Sequence, residues 1–287
     1  MHTILVGVGI LSGVSFVLAA VISLCYQKLR VWEDPRIDQI ASMLPGANCG
    51  ACGFPGCRGL AEQIVLRRAK PASCTVSNEE GRQDIAAFLG VDAGESVKRV
   101  ARLLCAGGTN VAQRRANYHG VESCAAAVAV SGGAKACAWG CVGYADCAVS
   151  CTFDAIQMNA TGLPVVDPDL CSACGDCVTA CPQGLFTILP LDAHLIVQCK
   201  SLLEGASATE LCAVACNACG RCAADAAPGL IQMSMGGRLP VVDYEKIEHE
   251  SQKAIKRCPT GAIAWVEGAQ FASGGIRDMA RAGGELA

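Results

Sequence analysis

Between Cys171 and Pro182 the chain reads C-S-A-C-G-D-C-V-T-A-C-P, setting four thiols within eleven residues. Spacings of two, two and three residues before a proline suit a backbone wrapped around an inorganic cube. Three thiolates hold one [4Fe-4S] cluster, and the fourth reaches across to a second. Gly175 lets backbone amides approach the sulfurs, where their hydrogen bonds help set the potential. The partner motif, Cys137-x3-Cys141-x5-Cys147-x3-Cys151, is irregular. Counting back from Cys151 places its middle thiol at Tyr144, and Cys137 is the expected replacement. The expected sets are Cys137, Cys141, Cys147 and Cys181 for one cluster, and Cys151, Cys171, Cys174 and Cys177 for its neighbour.

The pattern recurs. Asp154–Asp167 reads DAIQMNATGLPVVD and Gly229–Asp243 reads GLIQMSMGGRLPVVD, each followed by a Cys-Pro at 181–182 and 258–259. Short β-branched runs flanking Thr161-Gly162 and Gly236-Gly237 predict two strand pairs closed by turns. The second copy keeps Cys216-x2-Cys219-x2-Cys222 and Cys258, which together are expected to hold a cube. Its other site has lost every thiol, with Ala226, Glu248, Ser251 and Ala254 at the ligand positions. Glutamate and serine oxygens are poor substitutes for soft thiolate. Apolar packing of Ala226 and Ala254 is expected in place of that cube.

Near the N-terminus, G-A-N-C-G-A-C-G-F-P-G-C offers Cys49, Cys52 and Cys57, with Cys74 as a fourth ligand. Residues 58–69 are expected to be helical, ended by Lys70-Pro71 before Cys74 returns. Spacing alone leaves zinc open for this module. The remaining thiols, Cys25, Cys105, Cys124, Cys199 and Cys212, read as buried apolar residues rather than ligands, although Cys212 mirrors Cys137 in the duplication.

Twenty-one cysteines against four histidines admit disulfides, zinc or iron–sulfur clusters. Residues 4–25 carry no charge, and twenty-two helical residues span roughly 33 Å, enough to cross a bilayer. No basic n-region precedes the run and no small-residue cleavage site follows, so a retained anchor is expected. Lys28, Arg30 and Arg36 follow it, which places the C-terminal part in the cytoplasm at the inner membrane. That compartment is reducing and disfavours disulfides. The predicted class is α+β: an anchor at 1–26, a linker at 27–43, a four-cysteine [4Fe-4S] domain at 44–75 and an intermediate region at 76–130. A two-cluster ferredoxin-like unit at 131–200, a one-cluster unit at 201–266 and a flexible tail at 267–287 complete the chain. The expected cofactors are four [4Fe-4S] clusters, with about sixteen irons.

Over nearly its whole length the chain resembles the RnfB family, the B component of the Rnf ion-translocating electron transport complex. The resemblance rests on the anchor, the G-A-N-C-G-A-C-G-F-P-G-C module and the tandem ferredoxin motifs. G-C-V-G-Y-A-D-C at 140–147 and V-Q-C-K-S at 197–201 are similar to the longer members. It implies that the N-terminal module holds a [4Fe-4S] cluster rather than zinc. It also implies an electron-transfer component of a translocase that couples ferredoxin:NAD oxidoreduction to Na+ or H+ movement. The implied partners are soluble ferredoxin, the other Rnf subunits and the bilayer, with no nucleic acid. No catalytic acid, base or nucleophile is implied, and no Rossmann loop or P-loop is present. Two other readings are a membrane-anchored polyferredoxin of a different redox complex, which would share every ligand, and a zinc-stabilised scaffold. Residues 131–230 hold three basic and nine acidic side chains, so Lys253, Lys256 and Arg257 read either as a basic approach for an acidic ferredoxin or as a solvated helix face.

Overall fold

The computed structural model describes residues 2–29, 33–95, 97–130, 132–234 and 236–272. Arg30 and the tail from residue 273 lie outside them. Helix α1 (His2–Leu29) contains one stretch, Val6–Lys28, long and apolar enough to cross a membrane. None of it packs against the rest of the protein, and Phe16 is 76% exposed. An uncovered apolar cylinder of this length is stable only where hydrocarbon replaces water around it.

Helix α2 (Pro35–Met43) starts on Asp34, whose carboxylate accepts from the Arg36 amide, with Pro35 in the first turn where no amide is needed. It packs on α3 (Gly56–Val65) and α4 (Glu79–Leu89). Ile40, Leu60, Ile64 and Ile85 are fully buried together with Leu44 and Cys74. The expected linker and intermediate region therefore supply α2 and α4 to the core of the four-cysteine module. Helix α3 ends at Val65 rather than Ala69. Arg67 turns left-handed (φ 57), and the Arg68 and Ala69 amides fold back onto the Gln63 carbonyl.

Strand β1 (Arg99–Leu103) leads to α5 (Cys124–Ala129) and α6 (Asp146–Val149). The first predicted hairpin follows as β2 (Ile156–Met158) and β3 (Pro164–Val166), with Ile156 opposite Val166. Helix α7 (Asp176–Ala180) then leads to β4 (Phe186–Pro190), which returns antiparallel to β1 in the register Leu103 to Phe186. Val100, Leu103, Ile156, Leu163, Val166 and Leu185 close this core.

The second unit repeats the plan. Strand β5 (Leu195–Val197), α8 (Gly205–Leu211), α9 (Arg221–Asp225) and the hairpin β6 (Ile231–Ser234)–β7 (Leu239–Val242) precede α10 (Lys253–Lys256) and β8 (Ile263–Trp265). Strand β8 pairs antiparallel with β5. The Leu104 amide donates to the Leu185 carbonyl at 2.7 Å, and the Gln198 amide donates to Ala262 at 2.7 Å, the same bond in both copies. The outer strands carried no repeat signal, because their pairing spans the whole unit.

At the lost cluster site of the second unit, Ala254 is 1% exposed among Leu195, Val197, Leu230, Ile231, Val242 and Ile263. Ala226 and Ala227 pack against the same group. Arg257 clasps α10 to α9 through Asp225 (Nε to Oδ2 2.7 Å), so it is not a free member of the expected basic approach.

Candidate iron–sulfur centres

Three ligand loops share one backbone device. Counting from their third cysteine, positions −4 and −2 are left-handed: Ala173 and Gly175 before Cys177, Ala218 and Gly220 before Cys222, Gly143 and Ala145 before Cys147. Alternating left- and right-handed residues turn successive amides toward one point, which forms an anion-binding nest. In each loop the third cysteine is buried at or beside the start of a short helix.

Cys151, Cys171, Cys174 and Cys177 line one cavity. Cys216, Cys219, Cys222 and Cys258 line another. Both groupings are those expected from spacing. The third is not. A further cavity is lined by Cys141, Cys147, Cys181 and Cys124, and Cys137 is not on it. Asp146 explains the exchange. Its carboxylate accepts from the Cys124 amide (2.9 Å), the Ala125 amide (3.0 Å) and the Ser123 hydroxyl (3.0 Å), drawing the start of α5 onto the ligand loop. The amides of Asp146 and Tyr144 are directed at the Cys124 sulfur. Cys124 is thus the fourth thiol on this cavity. The turn in which the Gly140 amide donates to the Cys137 carbonyl (3.2 Å) carries Cys137 into a separate cavity, with Cys105, Cys199 and Cys212.

In the N-terminal module Cys52, Cys57 and Cys74 pack around the core that Ile40 and Ile64 close, and Cys49 is half-buried in the same loop. Gly46, Asn48, Gly50, Gly53 and Gly56 are all left-handed. The Asn48 side chain accepts from the Cys57 amide at 2.9 Å, and a Cβ at Gly56 would lie 2.9 Å from that oxygen. Only glycine fits there.

Burial, followed by neighbouring thiols, pushes Cys147 and Cys177 up to about 12 and Cys216 up to about 11. Burial raises Cys74 as well, against the Ser77 and Val76 amides. Cys258 goes the other way. Burial opposes its ionisation, yet the amides of Ile263, Thr260 and Ala262 bring it below the ordinary thiol value. Thiols crowded in this way ionise together only when a cation draws off their protons. A single zinc holds four sulfurs about 2.3 Å from itself. Among the described residues no three metal-binding side chains converge on one ion-sized point. Four thiols spread around one shared cavity, with amides aimed at the sulfurs, fit a cube.

Arg102, 1% exposed, donates through Nη1 to the Gly268 carbonyl, with Nε and Nη2 unpartnered among the described residues.

Tandem ferredoxin-like units with clustered thiols, behind an apolar N-terminal helix, define a membrane-tethered iron–sulfur protein of the polyferredoxin class. The chain matches the family described as "Putative Fe-S cluster" over residues 44–76 and the 4Fe-4S binding domain family over 164–187. It is 40% identical over 216 residues to the B component of the Na(+)-translocating ferredoxin:NAD(+) oxidoreductase complex of Acetobacterium woodii, covering 75% of this chain and 65% of that one. The B component of the ion-translocating oxidoreductase complex of Methanosarcina acetivorans is 34% identical over 264 residues, covering 92% and 99%. That of the proton-translocating ferredoxin:NAD(+) oxidoreductase complex of Clostridium ljungdahlii is 32% identical over 265 residues, covering 92% and 93%. The chain belongs to the RnfB family.

Proposed function

We propose that the chain exchanges electrons between a soluble low-potential ferredoxin and the other subunits of its complex, in an assembly that couples ferredoxin:NAD oxidoreduction to Na+ or H+ transport. The names of the Acetobacterium and Clostridium relatives support this reading. The observation that carries it is the set of cavities each lined by four cysteines. Four [4Fe-4S] ligand sets follow: Cys49, Cys52, Cys57 and Cys74; Cys124, Cys141, Cys147 and Cys181; Cys151, Cys171, Cys174 and Cys177; Cys216, Cys219, Cys222 and Cys258. The second replaces Cys137 with Cys124.

Bound clusters would supply one-electron transfer. The protein's own residues bring the thiols together, direct amides at the sulfurs and pack Leu103, Leu185 and Phe186 around the Cys141 cavity against water. Hydrogen bonds, nearby charge and exclusion of solvent are the means by which a protein tunes such a centre. Lys28 at the end of α1 and Arg36 beyond it support a cytoplasmic location for the soluble part, with residues 4–25 in the inner membrane.

A tag fused after Ala287 tests the whole reading. In intact spheroplasts it should resist added protease. After mild solubilisation it should retain the other complex subunits and reduce NAD with reduced ferredoxin, and the Cys177→Ala complex should lose at least 90% of that rate. A protease-sensitive tag, or isolation with a different set of redox subunits, would overturn it.

A further inference from the structure

The thiols outside the four ligand sets are not scattered. Cys105, Cys137, Cys199 and Cys212 line one shared cavity, as four thiols do at each of the three ferredoxin-type cavities. Each unit contributes two. Cys105 and Cys199 lie two residues beyond the ends of β1 and β5, while Cys137 and Cys212 each stand four residues before the first cysteine of a ligand loop. The two halves are stitched together by backbone. The Ala106 amide donates to Gln198 (3.0 Å), Ala213 to Val111 (2.9 Å) and Gln113 to Leu211 (2.9 Å).

Every one of the four sulfurs has an amide aimed at it. The Cys141 amide donates to the Cys105 sulfur at 3.4 Å and the Ser201 amide to the Cys199 sulfur at 3.4 Å. The Trp139 amide serves Cys137, the Val214 amide serves Cys212, and the Cys216 amide serves Cys199 as well. A Cβ at Gly107 would lie 3.3 Å from the Cys212 sulfur and 3.5 Å from that of Cys105, so the absence of a side chain there leaves the cavity open.

Lys135 supplies an independent observation. It lines this cavity, is 7% exposed and donates to the Gly107 carbonyl, and among the described residues no carboxylate pairs with it. An isolated buried ammonium is costly without an opposite charge. A cube with four thiolates is net anionic and supplies one.

We propose that Cys105, Cys137, Cys199 and Cys212 ligate a fifth [4Fe-4S] cluster between the two ferredoxin-like units, with Lys135 as its counter-charge. This rests on the four-cluster reading above. The site adjoins both neighbours through their own ligands, since the Cys141 and Cys216 amides hydrogen-bond its sulfurs. It therefore lies between the Cys141 and Cys216 sites, one from each unit.

The test is the iron and acid-labile sulfide content of the reconstituted full chain, with zinc measured alongside. Five sites predict about twenty irons per chain, and the Cys199→Ala, Cys212→Ala double variant about sixteen, a loss of one-fifth. Lys135→Gln should keep about twenty and shift one reduction midpoint to more negative potential. Sixteen irons in the parent chain would overturn the fifth site and leave the four-cluster reading standing. Sixteen irons with one zinc would make it an ion site instead. Eight or fewer would overturn both readings. The parent count decides the matter even where the double variant fails to fold.

Discussion

Asp146 has no direct place in any ligand set, yet it decides which thiol joins one. Burial opposes its ionisation, but the Ala125 and Cys124 amides and the Ser123 hydroxyl hold its carboxyl below the usual range. Removing it leaves three donors without their acceptor and frees the start of α5. Losing such an anchor costs about 1–3 kcal/mol. Asp146→Ala should therefore cost one cube of the chain's complement, as Cys124→Ala should, with the signals of the Cys171 and Cys216 sites unchanged in EPR. Cys137→Ala should leave the Cys141 signal intact. An Asp146→Ala chain with full iron content and an unaltered spectrum would contradict this role. Spacing could not reveal it. Sequence counting puts the missing middle thiol at Tyr144 and assigns the nearest upstream cysteine, Cys137, which lines a different cavity. The actual neighbour is set by hydrogen bonds spanning more than twenty residues.

Secondary-structure elements divide along the same line of locality. The hairpins β2–β3 and β6–β7 were legible because β-branched runs flank left-handed Gly162, Gly236 and Gly237. Their ligand loops were legible because a cube imposes its own spacing on the chain. Strands β1 and β5 were not, since each pairs with a partner more than sixty residues on, and with them went the positions of Cys105 and Cys199. The duplication did contain one usable signal: Cys137 and Cys212 share an offset, which fits two halves of one site better than two unrelated buried thiols. The lost site of the second unit has become core, with Ala254 sealed among leucine, valine and isoleucine side chains. Ala254→Asp buries a carboxylate without a partner and should destabilise this unit by about 3 kcal/mol. The readout is a lower urea midpoint for loss of the Cys216 cluster absorbance, and an unchanged midpoint would show that α10 does not seal this space.

For the whole molecule, the anchor and the thiol pairings describe one apparatus. Helix α1 is long and apolar enough to cross a bilayer, and the four thiol-lined cavities adjoin one another in series. Cys177 neighbours Cys147, Cys141 neighbours Cys105, and Cys199 neighbours Cys216. Neither ferredoxin-like unit alone completes the central cavity, which takes two cysteines from each. Iron density in the assembled complex, from anomalous scattering at the iron edge or high-resolution cryo-microscopy, tests this arrangement most directly. The arrangement predicts cubes at the Cys171, Cys141, Cys137 and Cys216 cavities, with Cys124 bound to the second and Cys137 to the third. Cys137 on the Cys141 cube, or a cube between residues 226 and 254, would contradict it.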